Sequence, residues 1–206
     1  MTEFEQTVVE DTQKWLLEAV VGLNLCPFAK SVVIKDMVRY RVTESSEPDE
    51  VLALLREELL YLRDADPEKL DTTLLVAPHL LPDFFEFNQF LQACDAVLQD
   101  LNLEGELQVA DFHPLYQFGG VAEDDISNYT NRTPYPTLHL LRESSIDRAV
   151  EAYPDAAEIF ERNIALLEKL GHAGWQALGI QARVTQAHIT SPTGTIASCL
   201  NKSQQP

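Results

Sequence analysis

The stretch from Asp71 to Ala77 is of strand length, and its centre, Leu74-Leu75-Val76, has no polar face before Pro78 ends it. A strand apolar on both sides has to be covered on both sides, which makes it a central strand of a sheet with helices packed on it. The segments around it supply that cover. Thr7 to Gly22 reads as a helix, because Val8, Val9, Trp15, Leu16, Ala19 and Val20 recur at helical spacing and Gly22 can cap the end. Val38 to Thr43 alternates Val38, Tyr40 and Val42 with Arg39, Arg41 and Thr43, a strand with one polar face. A helix with Ser46 as N-cap follows, burying Val51, Leu52, Leu55, Leu59 and Leu62. Asp83 to Leu101 is a long helix opened by four phenylalanines, and Leu103 to Phe112 is a third strand. Pro136 to Leu141 is a fourth strand, followed by helices over Ser145–Ala152 and from Pro154 to Leu170, where Gly171 stops the last one.

Strands alternating with helices imply parallel neighbours joined by right-handed crossovers. The expectation is a single α/β domain over residues 1–178 with a mixed sheet of about four strands. The first three are parallel, the fourth is free to run antiparallel, and 179–206 form a polar, flexible tail.

Charge narrows the partners. Fifteen Lys and Arg face 33 Asp and Glu, a formal net charge of -18. Phosphate backbones and anionic membrane surfaces both demand clustered cations, so neither nucleic acid nor membrane is expected. No run reaches the roughly 18 apolar residues of a spanning helix, and the acidic stretch Met1 to Asp11 lacks the basic start of a secretory signal. Three cysteines, Cys26, Cys94 and Cys199, form no C-x-x-C pair. An odd, unpaired set fits the reducing cytoplasm.

More than 20 residues separate the third strand from the fourth, from His113 to Tyr135. A loop of that length in a compact domain is usually functional or disordered, and its aromatic content makes disorder the weaker choice. This one carries Tyr116, Phe118, Tyr129 and Tyr135, and it starts at a strand's carboxyl end, where open α/β sheets place their sites. Gly119-Gly120 is a weak anion-nest signal, and no nucleotide fingerprint, H-E-x-x-H, G-x-S-x-G or zinc-ribbon pattern occurs.

Several stretches taken together carry a resemblance. They are Trp15-Leu16 with Val21-Gly22-Leu23-Asn24-Leu25-Cys26-Pro27-Phe28-Ala29, Asp71-Thr72-Thr73-Leu74-Leu75, Phe112-His113-Pro114, Tyr116-Gln117-Phe118, Asn128-Tyr129-Thr130-Asn131-Arg132 and Pro134-Tyr135-Pro136-Thr137-Leu138-His139. Over about residues 12–178 the chain resembles the bacterial domain-of-unknown-function family 1415. The resemblance implies an identity and no mechanism.

Three polar clusters therefore carry the functional expectation, and they are expected to converge. Pro27 pushes Cys26 out of the α region into a turn, where it is either a thiol nucleophile or a small buried hydrophobe between Leu25 and Phe28. His113 is either a general base or metal ligand, or a strand-end cap bonded to a carbonyl. His139, flanked by Leu138 and Leu140, faces the opposite side of its strand from them and either lines a pocket or stacks on the sheet. Arg132 with Asn131 is either an anion clamp or a tie for the long loop. Asn24, Tyr116 and Tyr129 complete the expected lining. The leading expectation is an enzyme acting on a small anionic metabolite, with Cys26 as nucleophile, His113 as base or acid, and Arg132 as clamp. Two alternatives stay open: a metal site of Cys26 and His113 with Asp111 or His139, and a non-catalytic interaction module built on the aromatic loop. The sequence specifies no cofactor and no oligomeric state.

Overall fold

The computed structural model describes residues 1–152 and 158–184. The first helix, α1 (Glu3–Trp15), begins earlier than the apolar spacing suggests because Thr2 caps it. Its side chain accepts from the Glu5 N–H while the Glu5 carboxylate accepts from the Thr2 N–H, a reciprocal capping box. The helix continues into a π-helical stretch over Leu16–Val21, and a short helix α2 (Ala29–Ile34) follows. Helix α2 was not legible in the sequence, since six residues are too few to show helical periodicity.

The remaining elements follow in the expected order: β1 (Val38–Val42), α3 (Pro48–Asp64), β2 (Thr72–Val76), α4 (Phe84–Asp100), β3 (Leu107–Phe112), β4 (Thr137–Arg142), α5 (Glu143–Ala152) and α6 (Ile159–Ala177). Glu47, rather than Ser46, is the N-cap of α3, with Pro48 in the first turn. Gly171 breaks the helical path of α6 where expected, with φ 63° and ψ 174°, and a second helical stretch continues beyond it to Ala177. The expected helix start at Pro154 lies outside the described residues.

The four strands form one mixed sheet in the order β1-β2-β4-β3. Strand β1 pairs parallel with β2, while β4 runs antiparallel to both β2 and β3. The first three strands thus point the same way, as expected, but β3 is not a neighbour of β2. The loop after β3 is long enough to return the chain as β4 into the gap between them. Alternation of elements constrains strand direction and leaves strand order open, which is why the sequence missed the insertion.

Period-2 alternation then sorts side chains onto two faces. Leu75, Leu107, Leu138 and Leu140 meet α3 and α4 in one core, where Val51, Leu55, Leu59 and Leu62 are each fully buried. Glu58 lies in that same stripe and faces β1. It accepts from Arg39 at 2.7 and 3.1 Å and stands 3.4 Å from Arg41. Val42, Leu74 and Val76 meet α1 and α6 in the second core, with Trp15, Tyr135, Leu167 and Trp175.

Two polar devices tie the layers. Arg142, buried at the end of β4, donates to the carbonyls of Leu62, Ala65 and Leu70, capping the C-terminal turn of α3. Asp11, buried on α1, accepts from the Tyr135 hydroxyl at 2.7 Å and from the Arg183 backbone at 2.8 Å. The stretch expected to be a tail therefore begins anchored, and its residues from 185 onward lie outside the described residues.

Replacing Arg142 with Met leaves the buried Leu62 carbonyl and the half-buried carbonyls of Ala65 and Leu70 without this donor. Charge-assisted hydrogen bonds contribute about 1.5–3 kcal/mol each to such accounts. We expect Arg142→Met to lower unfolding free energy by about 2 kcal/mol, read as a shifted urea midpoint at constant slope; an unchanged midpoint would refute the capping role.

Candidate functional site

The site is prepared by the end of α1. Gly22 N–H donates to the Leu17 carbonyl at 2.9 Å, a bond spanning five residues that defines the π turn. Such turns are rare and cluster at functional positions. Gly22 is required there for space: a Cβ on it would stand 2.4 Å from the Glu18 carbonyl oxygen. The left-handed residue is Asn24, with φ 55°, which turns the chain toward Cys26. Helix α6 holds that turn from outside, Arg162 donating to the Asn24 carbonyl at 2.6 Å and buried Asn163 to the Leu25 carbonyl at 2.8 Å.

Between this segment and the sheet lies a cavity of about 330 Å³. Its floor is Thr72, Leu74, Ala110, Phe112, His139 and Leu141; its walls are Trp15, Leu16, Val20, Cys26, Ala29 and Val33, and Ile146 and Ala149 of α5 cover it. A mostly apolar hollow with a few fixed polar groups is the usual form of a small-molecule site. Three such groups stand out here.

His139 is the first. Its Nε2 lies 2.8 Å from the Thr72 hydroxyl, which itself lies 2.5 Å from the Leu140 carbonyl. The hydroxyl has one hydrogen, and the carbonyl can only accept it. Nε2 must then be the donor to Thr72, which leaves Nδ1 with a free lone pair. Burial pushes this imidazole down to about 4, so the ring is neutral at physiological pH. The Trp15 indole N–H is the second: it is buried, and among the described residues no acceptor reaches it. Cys26 is the third, a free thiol.

The expected convergence is therefore partial. Cys26 and His139 share one cavity, but His113 lies on the opposite face of the sheet, its ring against Phe84 and Phe87 of α4 at 5.5 and 4.9 Å. Nε2 of His113 bonds the Leu81 carbonyl at 3.1 Å and Nδ1 accepts from the Leu115 N–H at 3.0 Å. With both nitrogens engaged by backbone and the pKa pushed down to about 4 by burial, His113 is a neutral strut with no lone pair to offer. This geometry does not support the base role expected of it. Asp111 shares that remote face with Leu107 and Val109, four and two residues away.

The long loop is likewise braced by the residues expected to bind a ligand. Arg132 donates to the carbonyls of Tyr116 at 3.1 Å and Glu123 at 2.7 Å, and its guanidinium lies 4.6 Å over the Tyr129 ring. Asn131 accepts the His113 N–H at its carbonyl at 3.2 Å. Tyr129 packs edge-on against Trp175. Asn24 is exposed and contributes its backbone carbonyl. Among the described residues, no three His, Cys, Asp or Glu side chains come close enough to hold a metal ion. Trp15 and Thr72 were missed as lining residues; Thr72 shares a strand face with Leu74, but only the β2–β4 pairing shows that this face meets His139.

Comparison with known proteins gives one match. A family model described as "Protein of unknown function (DUF1415)" covers residues 7–177. No curated protein and no solved structure matches.

The imidazoles of His113 and His139 make stability depend on pH. Each has a folded pKa near 4 against an ordinary value of 6.5. Between those values the unfolded chain binds more protons, so this contribution is complete above about pH 6.5 and falls as pH drops toward 4. We expect the stability lost over that interval to be smaller in His139→Phe than in the wild-type chain, by about 1–3 kcal/mol. NMR titration is the direct check: a His139 ring that protonates near 6.5 would contradict the assignment.

Proposed function

We propose that this chain, which belongs to the DUF1415 family, is an enzyme acting on a small molecule held in the cavity beneath α5. Cys26 would supply the nucleophile and His139 the group that receives its proton. The observation that carries this reading is that a free thiol and a neutral imidazole with an open Nδ1 line the same largely apolar hollow.

Thiolates attack and thiols do not, so a neighbouring acceptor is what a cysteine nucleophile needs. Thr72 fixes the tautomer of His139 as a second group commonly does for a catalytic histidine. An imidazole titrating near 4 is a weak base by itself. Loss of the thiol proton to it would create an ion pair, whose mutual attraction offsets the cost of charge in an apolar space. Arg132 does not enter this reading, since two of its donors already serve loop carbonyls.

The test is alkylation of Cys26 by iodoacetamide, followed by mass spectrometry, with buried Cys94 as internal control. Burial raises the Cys94 thiol to about 12, so it should stay slow. Replacing His139 with Gln should slow Cys26 labelling at neutral pH by about ten-fold. In parallel, wild-type protein incubated with a small-metabolite extract should consume a species that Cys26→Ser leaves intact. Equal labelling in both proteins, together with identical metabolite profiles, would sink the proposal.

A further inference from the structure

A second groove of about 450 Å³ adjoins the cavity, and Phe28, Val32, Asp71, Ser145 and Ala149 line both. The inner space is almost wholly apolar; the outer one carries four charged side chains, Lys35, Arg148, Glu68 and Asp71. Their partners differ. Asp71 accepts the Ser145 hydroxyl at 2.6 Å, and the same Ser145 oxygen accepts from Arg148 at 3.0 Å. Asp71 is also the nearest carboxylate to Arg148, at 4.0 Å, the outer limit of an ion pair. Among the described residues, Lys35 has no carboxylate within ion-pair reach. Both cations are exposed.

That pattern is unusual in a chain with a net charge of -18, where acids outnumber bases about two to one. Most of this protein's surface repels anions, and here two cations with open donors share a groove with Glu68 and Asp71 beside an apolar hollow. A charged group taken into the hollow itself would lose its hydration with nothing to replace it. Left in the outer groove, it keeps water and gains the ammonium and guanidinium as partners.

We infer that the ligand is an amphipathic anion, its apolar body in the inner cavity and its anionic head held in the outer groove by Lys35 and Arg148. The inference rests on the inner cavity being the ligand site. It moves the anion-binding role from Arg132 in the long loop to α2 and α5. The chemical class is that of an organic acid with an apolar chain or ring system, a medium-chain or aromatic carboxylate being the simplest member. An apolar body without a head would fill the cavity and leave both cations unused.

Two fluorescent dyes with the same aromatic body separate the parts of this claim: 1-anilinonaphthalene-8-sulfonate has an anionic sulfonate, and N-phenyl-1-naphthylamine is neutral. Both should bind the full chain at a single site. Ala149→Trp, which fills the cavity roof from α5, should abolish binding of both. The double variant Lys35→Glu, Arg148→Glu should weaken the sulfonate dye by about ten-fold or more, the loss of one or two charge-assisted contacts. It should leave the neutral dye within about two-fold, since apolar burial is unchanged. Circular dichroism confirms that each variant is folded. If the double variant affects both dyes alike or neither, while Ala149→Trp still abolishes both, the head-group assignment is overturned and the cavity reading stands. If Ala149→Trp leaves the neutral dye bound as before, or neither dye binds the wild-type chain, the cavity reading falls and the head-group assignment falls with it.

Discussion

The antiparallel register of β2 against β4 decides which side chains share a face of the sheet. Leu74 stands opposite His139, and Leu75 opposite Leu138. With that register, leucines from both strands enter the core under α3 and α4, while Thr72 and His139 enter the space under α1, α2 and α5. A slip of one residue would exchange the two sets. It would put an imidazole among the leucines and close the cavity with aliphatic side chains. The apolar content of both strand faces makes that slip costly, because Leu75, Leu138 and Leu140 are all but fully buried.

The opposite side of the cavity is held by long-range polar contacts. Helix α1 and its π turn bring Trp15 and Leu16 to the wall, and Asn163 and Arg162 of α6 fasten the turn that carries Cys26. The Asp11 carboxylate joins α1 to the Tyr135 hydroxyl just before β4 and to Arg183 beyond α6. These are hydrogen bonds between residues more than a hundred positions apart in the chain. They bring the ends of the domain together over the sheet, and the cavity is what remains between them. Side chains that form such ties are expensive to leave unpaired once buried, so the ties reinforce a single arrangement.

Polar residues in the long loop have a different task. His113, Asn128 and Arg132 each bond backbone groups of the loop or its surroundings. A loop this long buries many peptide groups that no strand or helix satisfies, and side chains have to supply the missing partners. Asn128 is fully buried for that reason, accepting the Phe118 N–H and donating to the carbonyls of Ala122 and Glu123. Length and aromatic content marked the loop as special, but its chemistry is mostly internal.

Local pattern was enough to read the strands, the long helices and the two-sided burial of β2, because periodicity depends only on the residues of each segment. It also pointed to Cys26 and His139 as residues able to face a pocket, the first through Pro27 and the second through its place between two core leucines. Local pattern could not distinguish His113 from His139. Both are histidines at or within apolar strands, and the difference lies in what each ring nitrogen meets: two backbone groups for His113, a threonine from another strand for His139. It could not order the strands either, since direction is set by alternation but neighbourhood is set by which edge buries more apolar surface. That Cys26 and His139 line one cavity, that Lys35 and Arg148 line the adjoining groove, and that Arg132 braces the loop were decided by tertiary structure alone. Each depends on contacts between segments far apart in the chain, and no spacing within a single segment encodes them.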